Sequence, residues 1–532
     1  MNINIKYMGL AALMTASLSA CNLDTTPTTS LDSDNAFKST TYAEDVLRGT
    51  WQNVFEDGIT YASYGLNSIL LQDDFMGSDC VKANSYGYKD SYNVSAGYSR
   101  GQNTRLLWSI AYDAINNSNN IIAYVDDADG TSSERNRIKG QAYATRGYMY
   151  MMLASHYSFA IDKDPNAVCA PIYTEPATLT TALTGNAASS VSEVYAQALS
   201  DLKQAVELIP ESYAHSSNSS EIYMIDYATA VGLLARTSLY ARKWQDAYDY
   251  ACKALEKNSS LMTESAYASN FNLVSNEECM WGYSATLDDN DCAYVGYFKD
   301  NSLDGYGSLC VDPHFAMLFS ADDWRGDYFK QWGYTAQGGT RVYLLNDKFK
   351  MRSVDDQLMD FTLMRTAEMY LIKAEAACRL GKEAEARNVL HTLQQSRMRA
   401  GKTAPAVTAT GDDLLQAIWT ERRKELWGEG FALTDIIRNQ QSVVRESYDL
   451  GTKVYNPALG DSVTVDSVTV YEQNDHSNAP KKAVGLGHYT TKLPDNTPFT
   501  ANSIYYLYRI LETEELQNAN LYSKYPKLSQ YR

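Results

Sequence analysis

Small residues recur at helix-crossing spacing in three separated places, and this limits what the chain can fold into. Tyr370, Ala374, Ala377, Ala386, Leu390 and Leu393 describe two short amphipathic helices, with Gly381 at the turn between them. Alanine at these positions lets two helix axes approach closely, and a glycine turn sends the second helix back along the first. Val231, Leu234, Ala235, Ala247, Ala251 and Ala254 repeat the arrangement, with one helix expected over 227–241 and the next over 244–257. Ala198, Leu202, Ala205 and Pro210 give a third instance.

The spacing is that of tetratricopeptide units, whose paired helices stack on their neighbours. The expected fold is therefore mostly α: a tetratricopeptide-like helical repeat scaffold, with pairs near 133–160/191–210, 227–257 and 364–398. The units are far apart in sequence, so large irregular insertions must separate them. Further amphipathic helices are expected over 41–54, 106–126 and 133–160, the second with Leu107, Ile110, Ala114, Asn117 and Ile121 on one face.

Two insertions hold unusual numbers of aromatic residues. Residues 73–102 are rich in Gly, Ser, Asn and Tyr and read as a long loop. Residues 278–339 carry Trp281, Tyr283, Tyr294, Tyr297, Phe298, Tyr306, Trp324, Tyr328, Trp332 and Tyr334 among Gly, Asp and Asn. The whole chain holds 41 tyrosines, and these either fill helix interfaces or present flat amphipathic faces. An aromatic face beside Asn, Asp and Gln is what a sugar ring requires, and loops supply such groups more often than helices do. Tyr86, Tyr88 and Tyr92 of the first insertion, with Tyr294, Tyr297, Tyr306 and Trp332 of the second, are the candidate ligand-binding residues. Farther on, the alternating run Asp461–Tyr471 predicts a short hairpin. Residues 504–511 and 513–519 are expected to rejoin the helical body.

The N-terminus reads as a targeting segment. Lys6 precedes an apolar run from Tyr7 to Leu18, about a dozen residues, which suits a signal peptide and is too short to span a bilayer. Leu18-Ser19-Ala20-Cys21 then forms a lipoprotein cleavage site. Residues 1–20 are expected to be removed and Cys21 to carry lipid, which anchors the chain without a transmembrane helix. Residues 21–32 form a polar tether, and 33–532 a single domain. The formal charge of -18 becomes -19 once Lys6 is lost, which disfavours nucleic acid as a partner.

Other chemistry is poorly represented. Seven cysteines remain beside Cys21, with no Cys-x-x-Cys pair and no metal-ligand spacing. Cys252 and Cys378 read as small core residues, while Cys279, Cys292 and Cys310 leave one bridge open. Gly401-Lys402-Thr403 lacks the leading glycine of a phosphate loop, since Ser396 stands there, and it follows a helix. Serine-hydrolase and zinc-protease motifs are absent. No catalytic residue, cofactor or metal is expected. A lipid-anchored glycan hydrolase stays open, since two carboxylates across a cleft leave no sequence signature; so does a scaffold that binds only proteins.

Four segments are similar to the SusD/RagB-like family of nutrient-binding outer-membrane lipoproteins. They are the lipobox with LDTTPTTSLDSDNAFKSTTYAEDVLRGTW; GQAYATRGYMYMMLASHY over 140–157; YATAVGLLARTSLYARKWQDAYDYACKAL over 227–255; and the 364–439 segment ending in Glu421-Arg422-Arg423-Lys424-Glu425-Leu426 and Glu429-Gly430-Phe431. The closing stretch from Ile510 to Asn518 also fits, although it lacks the family's usual proline. The resemblance implies four tetratricopeptide-like units and an irregular region carrying the ligand site. It implies an oligosaccharide ligand, or a peptide in a subset of the family, and delivery to a SusC-like TonB-dependent transporter of the outer membrane. It implies no catalysis, so the Glu-Arg-Arg-Lys-Glu run is expected to pair its charges within the helix packing.

Overall fold

The computed structural model describes residues 37–529, apart from 59, 83–86, 216–220, 272, 287–293, 302–307, 330–331, 336–340, 354, 356–357, 449–452, 457–460, 465–468, 471–480 and 483–484. Cys21 and the tether lie outside the described residues. Among these, no helix is long and apolar enough to cross a membrane.

The body is helical. Its main elements are α1 (Thr40–Glu56), α2 (Gly65–Met76), α3 (Gln102–Tyr124), α4 (Ser132–Tyr157), α5 (Val191–Leu208), α6 (Tyr227–Tyr240), α7 (Trp244–Lys257), α8 (Thr366–Arg379), α9 (Glu383–Ser396), α10 (Gly411–Leu426) and α11 (Ala432–Arg438). Capping boxes fix where α4 and α5 begin: Thr131 with Glu134, and Ser190 with Glu193, satisfy the first free N–H groups reciprocally. The alanines of the repeat pattern sit at crossings. Ala198, Ala247, Ala251, Ala254, Ala374, Ala377 and Ala386 are fully buried. Gly381 makes the α8–α9 turn with φ +74°, a conformation that favours glycine.

The α4–α5 crossing depends on small residues. A Cβ on Gly147 would lie 2.9 Å from Leu202 Cγ and 3.0 Å from the Ala198 carbonyl oxygen, and one on Gly140 would lie 2.7 Å from Ile209 Cγ1. The two glycines, seven residues apart, share one stripe of α4 and let α5 lie against its backbone.

The insertions are more regular than their composition suggests. Residues 73–102 are not one loop: α2 runs on to Met76, Cys80–Lys82 forms a strand, and Lys89–Tyr92 is a helical turn. The second insertion is likewise built of short elements. A six-stranded sheet takes β1 (Cys80–Lys82), β2 (Leu309–Val311), β3 (Trp332–Thr335), β4 (Arg341–Leu344), β5 (Ser447–Tyr448) and β6 (Gly485–Gly487) in the order β1-β2-β4-β6-β5, with β3 also on β4. β6 runs parallel to β4 and the other pairs are antiparallel. A separate two-stranded ribbon joins Cys279–Ser284 to Asp360–Arg365 and leads into α8. The hairpin expected within 461–471 does not close on itself. Asp461–Thr464 pairs with Lys453–Asn456, and Thr469–Val470 with Lys481–Lys482. Cys279 and Cys310 are free thiols, so no bridge joins them; Cys292 lies outside the described residues. Cys252 and Cys378 are half-buried rather than core. At the C-terminal end the helical content is slight, a single turn at Ile504–Tyr506 and the surface helix Glu512–Gln517.

A buried ionic cluster joins insertion to body. Glu425 of α10 meets Arg365 at 2.9 Å, Arg397 at 2.9 Å and Arg325 at 2.7 Å. Glu278 bridges Arg365 and Arg397, at 2.6 Å each. Glu421 and Asp323 hold Arg325, Glu429 holds Arg365 and Lys348, and Lys424 reaches Asp323. Five carboxylates thus face five cations, nearly all withdrawn from solvent. The Glu421–Glu425 run pairs mainly with other elements, not along its own helix: Arg422 goes to Asp435 and Arg423 to Asp79.

Two predictions follow from packing and charge. Gly147→Val forces Leu202 and the α5 backbone outward and should cost about 1–3 kcal/mol, whereas Gly49→Ala, in open space on α1, should gain up to ~1 kcal/mol; denaturant midpoints compare them. Burial opposes ionisation of Glu425, but Arg397, Arg365 and Arg325 outweigh it and hold its pKa well below the ordinary range; Glu421 and Glu429 are lowered in the same way. Their stabilisation is complete above the ordinary glutamate pKa and is lost as pH falls through the folded values. Stability should therefore fall with acid below pH ~4.3, and Glu425→Gln, which removes the counter-charge shared by three guanidiniums, should cost ~3–5 kcal/mol at neutral pH.

Candidate ligand-binding face

The two insertions meet at one aromatic junction. Helix Tyr294–Lys299 is anchored at its C-terminal end: Lys299 Nζ donates to the Gly428 carbonyl at 2.8 Å and sits 4.7 Å from the Phe349 ring centre. Asn346 Nδ2 donates to the Lys299 carbonyl at 3.0 Å, and the Met351 amide donates to Asp300 at 2.8 Å. The helix backbone lies close to its neighbour, since a Cβ on Gly296 would be 2.9 Å from Met359 Cβ. So held, the helix brings Phe298 against two other segments. Tyr61, from the α1–α2 connection, stacks on Phe298 with centroids 6.0 Å apart and planes 16° apart. Tyr88, returning from the first insertion, meets Phe298 edge-on at 5.0 Å. Gly87 permits that return: its φ is +49°, and a Cβ there would lie 2.9 Å from both Ala62 and Phe298.

The junction has an inner and an outer layer. Phe298 and Tyr88 are buried, Tyr297 is half-buried, and Tyr61 is 43 % exposed. A ring supported on one face and open to solvent is the geometry that stacks on the apolar face of a sugar. Tyr61 did not stand out in the sequence, although Gly58 and the Tyr61/Tyr64 pair between two helices mark a short aromatic turn.

The candidate residues divide accordingly. Tyr86 and Tyr306 lie outside the described residues, as do the side chains of Tyr294 and Trp332. Tyr297 is half-buried and precedes Phe298 on the same helix. Tyr88 and Tyr92 do not present open faces. Tyr88 packs between Phe75 and Phe298. Tyr92 is fully buried against the Arg445 guanidinium at 4.4 Å and Tyr489 at 4.6 Å, and its hydroxyl bonds His488 Nδ1 at 2.7 Å. Arg445 is in turn fixed by the carbonyls of Phe75, Gly77 and Tyr92. Tyr92 is thus core where a surface ligand residue was expected, because four connected segments converge on it.

A second cavity, of about 340 Å³, opens between α2, β1 and the α10–α11 corner. Asp79 and Arg423 pair at its wall at 2.5 and 2.9 Å, and Asp74 accepts from the Gly430 amide at 2.9 Å. Burial raises the Asp74 pKa to about 7 despite the opposing charge of Lys299. Trp427 lines this cavity, but its ring is spent on Phe315, Phe329 and Phe349. It offers no stacking face.

Comparison with known proteins fits the architecture. Residues 320–527 match the SusD family model, and residues 23–239 match the model described as starch-binding associating with outer membrane. A SusD-like carbohydrate binding protein from Bacteroides vulgatus is 44 % identical, with TM-score 0.82 over 93 % of this chain and 100 % of its own. The chain belongs to the SusD/RagB-like family. A putative sugar binding protein, also from Bacteroides vulgatus, shares the fold at 22 % identity, with TM-score 0.69 over 91 % of this chain and 98 % of its own. A SusD-like protein of Formosa agariphila is 30 % identical over 125 residues, which span 22 % of this chain and 25 % of that relative.

Proposed function

We propose that this SusD-like protein is a lipid-anchored, surface-exposed glycan-binding protein that captures oligosaccharide and passes it to a TonB-dependent, SusC-like transporter of the outer membrane. The observation that carries this reading is Tyr61, an open aromatic ring backed by Phe298 where both insertions meet. Tyr297 is next in sequence to Phe298 on the same helix. Support comes also from the relative named as a carbohydrate binding protein and from the family model named for starch binding at the outer membrane. The Leu18-Ser19-Ala20-Cys21 sequence supports attachment through lipid on Cys21. Affinity comes from stacking, selectivity from amide and carboxylate groups on the loops, and no bond in the ligand is broken.

Affinity electrophoresis of the full chain in detergent against neutral and host-type polysaccharides tests the proposal. One glycan should retard the protein. Tyr61→Ala should weaken that retardation about tenfold, the loss of ~1–2 kcal/mol of ring burial and stacking, with helicity unchanged because the ring is exposed. Retardation unaffected by Tyr61→Ala removes the junction from the site. No retardation by any glycan, with heat released on adding peptides, moves the ligand to the peptide class; turnover of an oligosaccharide makes the protein a hydrolase.

A further inference from the structure

Two short surface helices bury nothing of their own. Leu179–Thr184 and Glu512–Gln517 contain no buried residue, yet both are held firmly. A capping box between Thr178 and Thr181 starts the first. Asn518, just past the second, donates to the Asn186 carbonyl at 2.8 Å, and Asn520 donates to the carbonyls of Thr184 and Gly185 at 3.0 and 3.3 Å. Gly185 permits this contact, with φ +62° and no room for a Cβ, which would lie 2.4 Å from Asn518 Cγ.

What these staples hold in place is apolar and acidic. Leu179, Leu183 and Leu516 are 78, 72 and 78 % exposed, the most open of the large hydrophobic residues described. Leu179 and Leu183 are four apart and share a helix face. Beside them is a cavity of about 220 Å³, lined by Tyr112, Tyr173, Glu175, Glu514 and Gln517 among others. The tyrosine rings meet edge to face at 5.9 Å. Their hydroxyls are already engaged, Tyr112 donating to the Pro171 carbonyl and Tyr173 accepting from the Asn186 amide. Glu193 and Glu515 nearby are neutralised by Lys524, and by Arg100 and Lys527. Glu175, Glu512 and Glu514 have no ion pair among the described residues.

We propose that this face docks a partner polypeptide, which inserts one lysine or arginine side chain between Glu175 and Glu514 and lays aliphatic side chains over Leu179, Leu183 and Leu516. Charge complementarity selects this occupant. The cavity has the size of one long side chain, and carboxylates beside aromatic rings stabilise a cation in two ways. A second copy of this chain would bring its own large negative charge to an acidic face. A neutral sugar would leave both the carboxylates and the leucines unused.

A random peptide display library panned on the full chain tests the site. Clones are counter-selected on Leu179→Ser/Leu183→Ser/Leu516→Ser, all surface changes that leave the core intact. Enriched peptides should carry Lys or Arg within a few residues of aliphatic side chains. A synthetic peptide of that sequence should lose at least tenfold in affinity in Glu175→Gln/Glu514→Gln, weaken as salt rises, and bind Tyr61→Ala as it binds the parent. The proposal is overturned if the enriched peptides lack basic residues, or if no clone distinguishes the parent from the leucine variant. Competition by a neutral oligosaccharide, or leucine-dependent binding to phosphatidylcholine vesicles, would overturn it equally.

Discussion

Glu425 receives three guanidiniums from three different parts of the chain, and the architecture depends on that meeting. Arg325 comes from the second insertion, Arg365 from the end of the ribbon that leads into α8, and Arg397 from just past α9. Burying any one of these charges alone would cost several kcal/mol. The cluster tolerates burial because its carboxylates and cations are equal in number and nearly every polar atom has a partner. The arginine forks make this possible: Arg365 satisfies three carboxylates and a backbone carbonyl at once, and Arg397 two carboxylates and a backbone carbonyl. Such a network need not add net stability over an apolar core. Its consequence is geometric, because only one docking of insertion on body pairs all the charges.

That single docking reaches the aromatic junction. Lys348 ties the cluster to the carbonyls of Glu425 and Trp427, and Lys299 ties the junction helix to the neighbouring Gly428 carbonyl. The residues of the Trp427–Gly430 corner therefore serve both the ionic cluster and the helix beneath Tyr61. A stacking ring held in place before the ligand arrives loses less entropy on binding. Under the proposed function, a charged helix end away from the ring contributes to affinity through position.

The helical scaffold was legible because its signal is periodic and local. Alanines at crossing spacing and Gly381 at a turn state their purpose within a single helix pair. The charge run Glu421–Glu425 was legible as structural, but not in its partners, since these lie as far away as Asp79, 344 residues from Arg423, and leave no mark on α10 itself. The six-stranded sheet was not legible. Its strands are two to four residues long and come from separated segments, too short for an alternating pattern to emerge. The Asp461–Tyr471 run shows the converse: it alternates well, yet its two halves pair with other strands, because alternation specifies a face and not a partner.

Tyrosine content explains why the candidate site was only partly legible. Tyr112, Tyr150 and Tyr370 each place a ring in or against the core and donate the hydroxyl to a backbone carbonyl of another segment, at Pro171, Tyr173 and Ser259. A helix that must hold long insertions benefits from side chains that are apolar along their length and polar at the tip, and tyrosine supplies both. Abundance of tyrosine is therefore what a heavily inserted helical scaffold demands, whatever it binds. What separates a ligand residue from such a tie is a property of the fold: a ring with one face supported and the other open. Tyr92 fails that criterion because Arg445 and Tyr489 pack against it, and Tyr61 meets it because Phe298 backs its ring while the residue stays 43 % exposed.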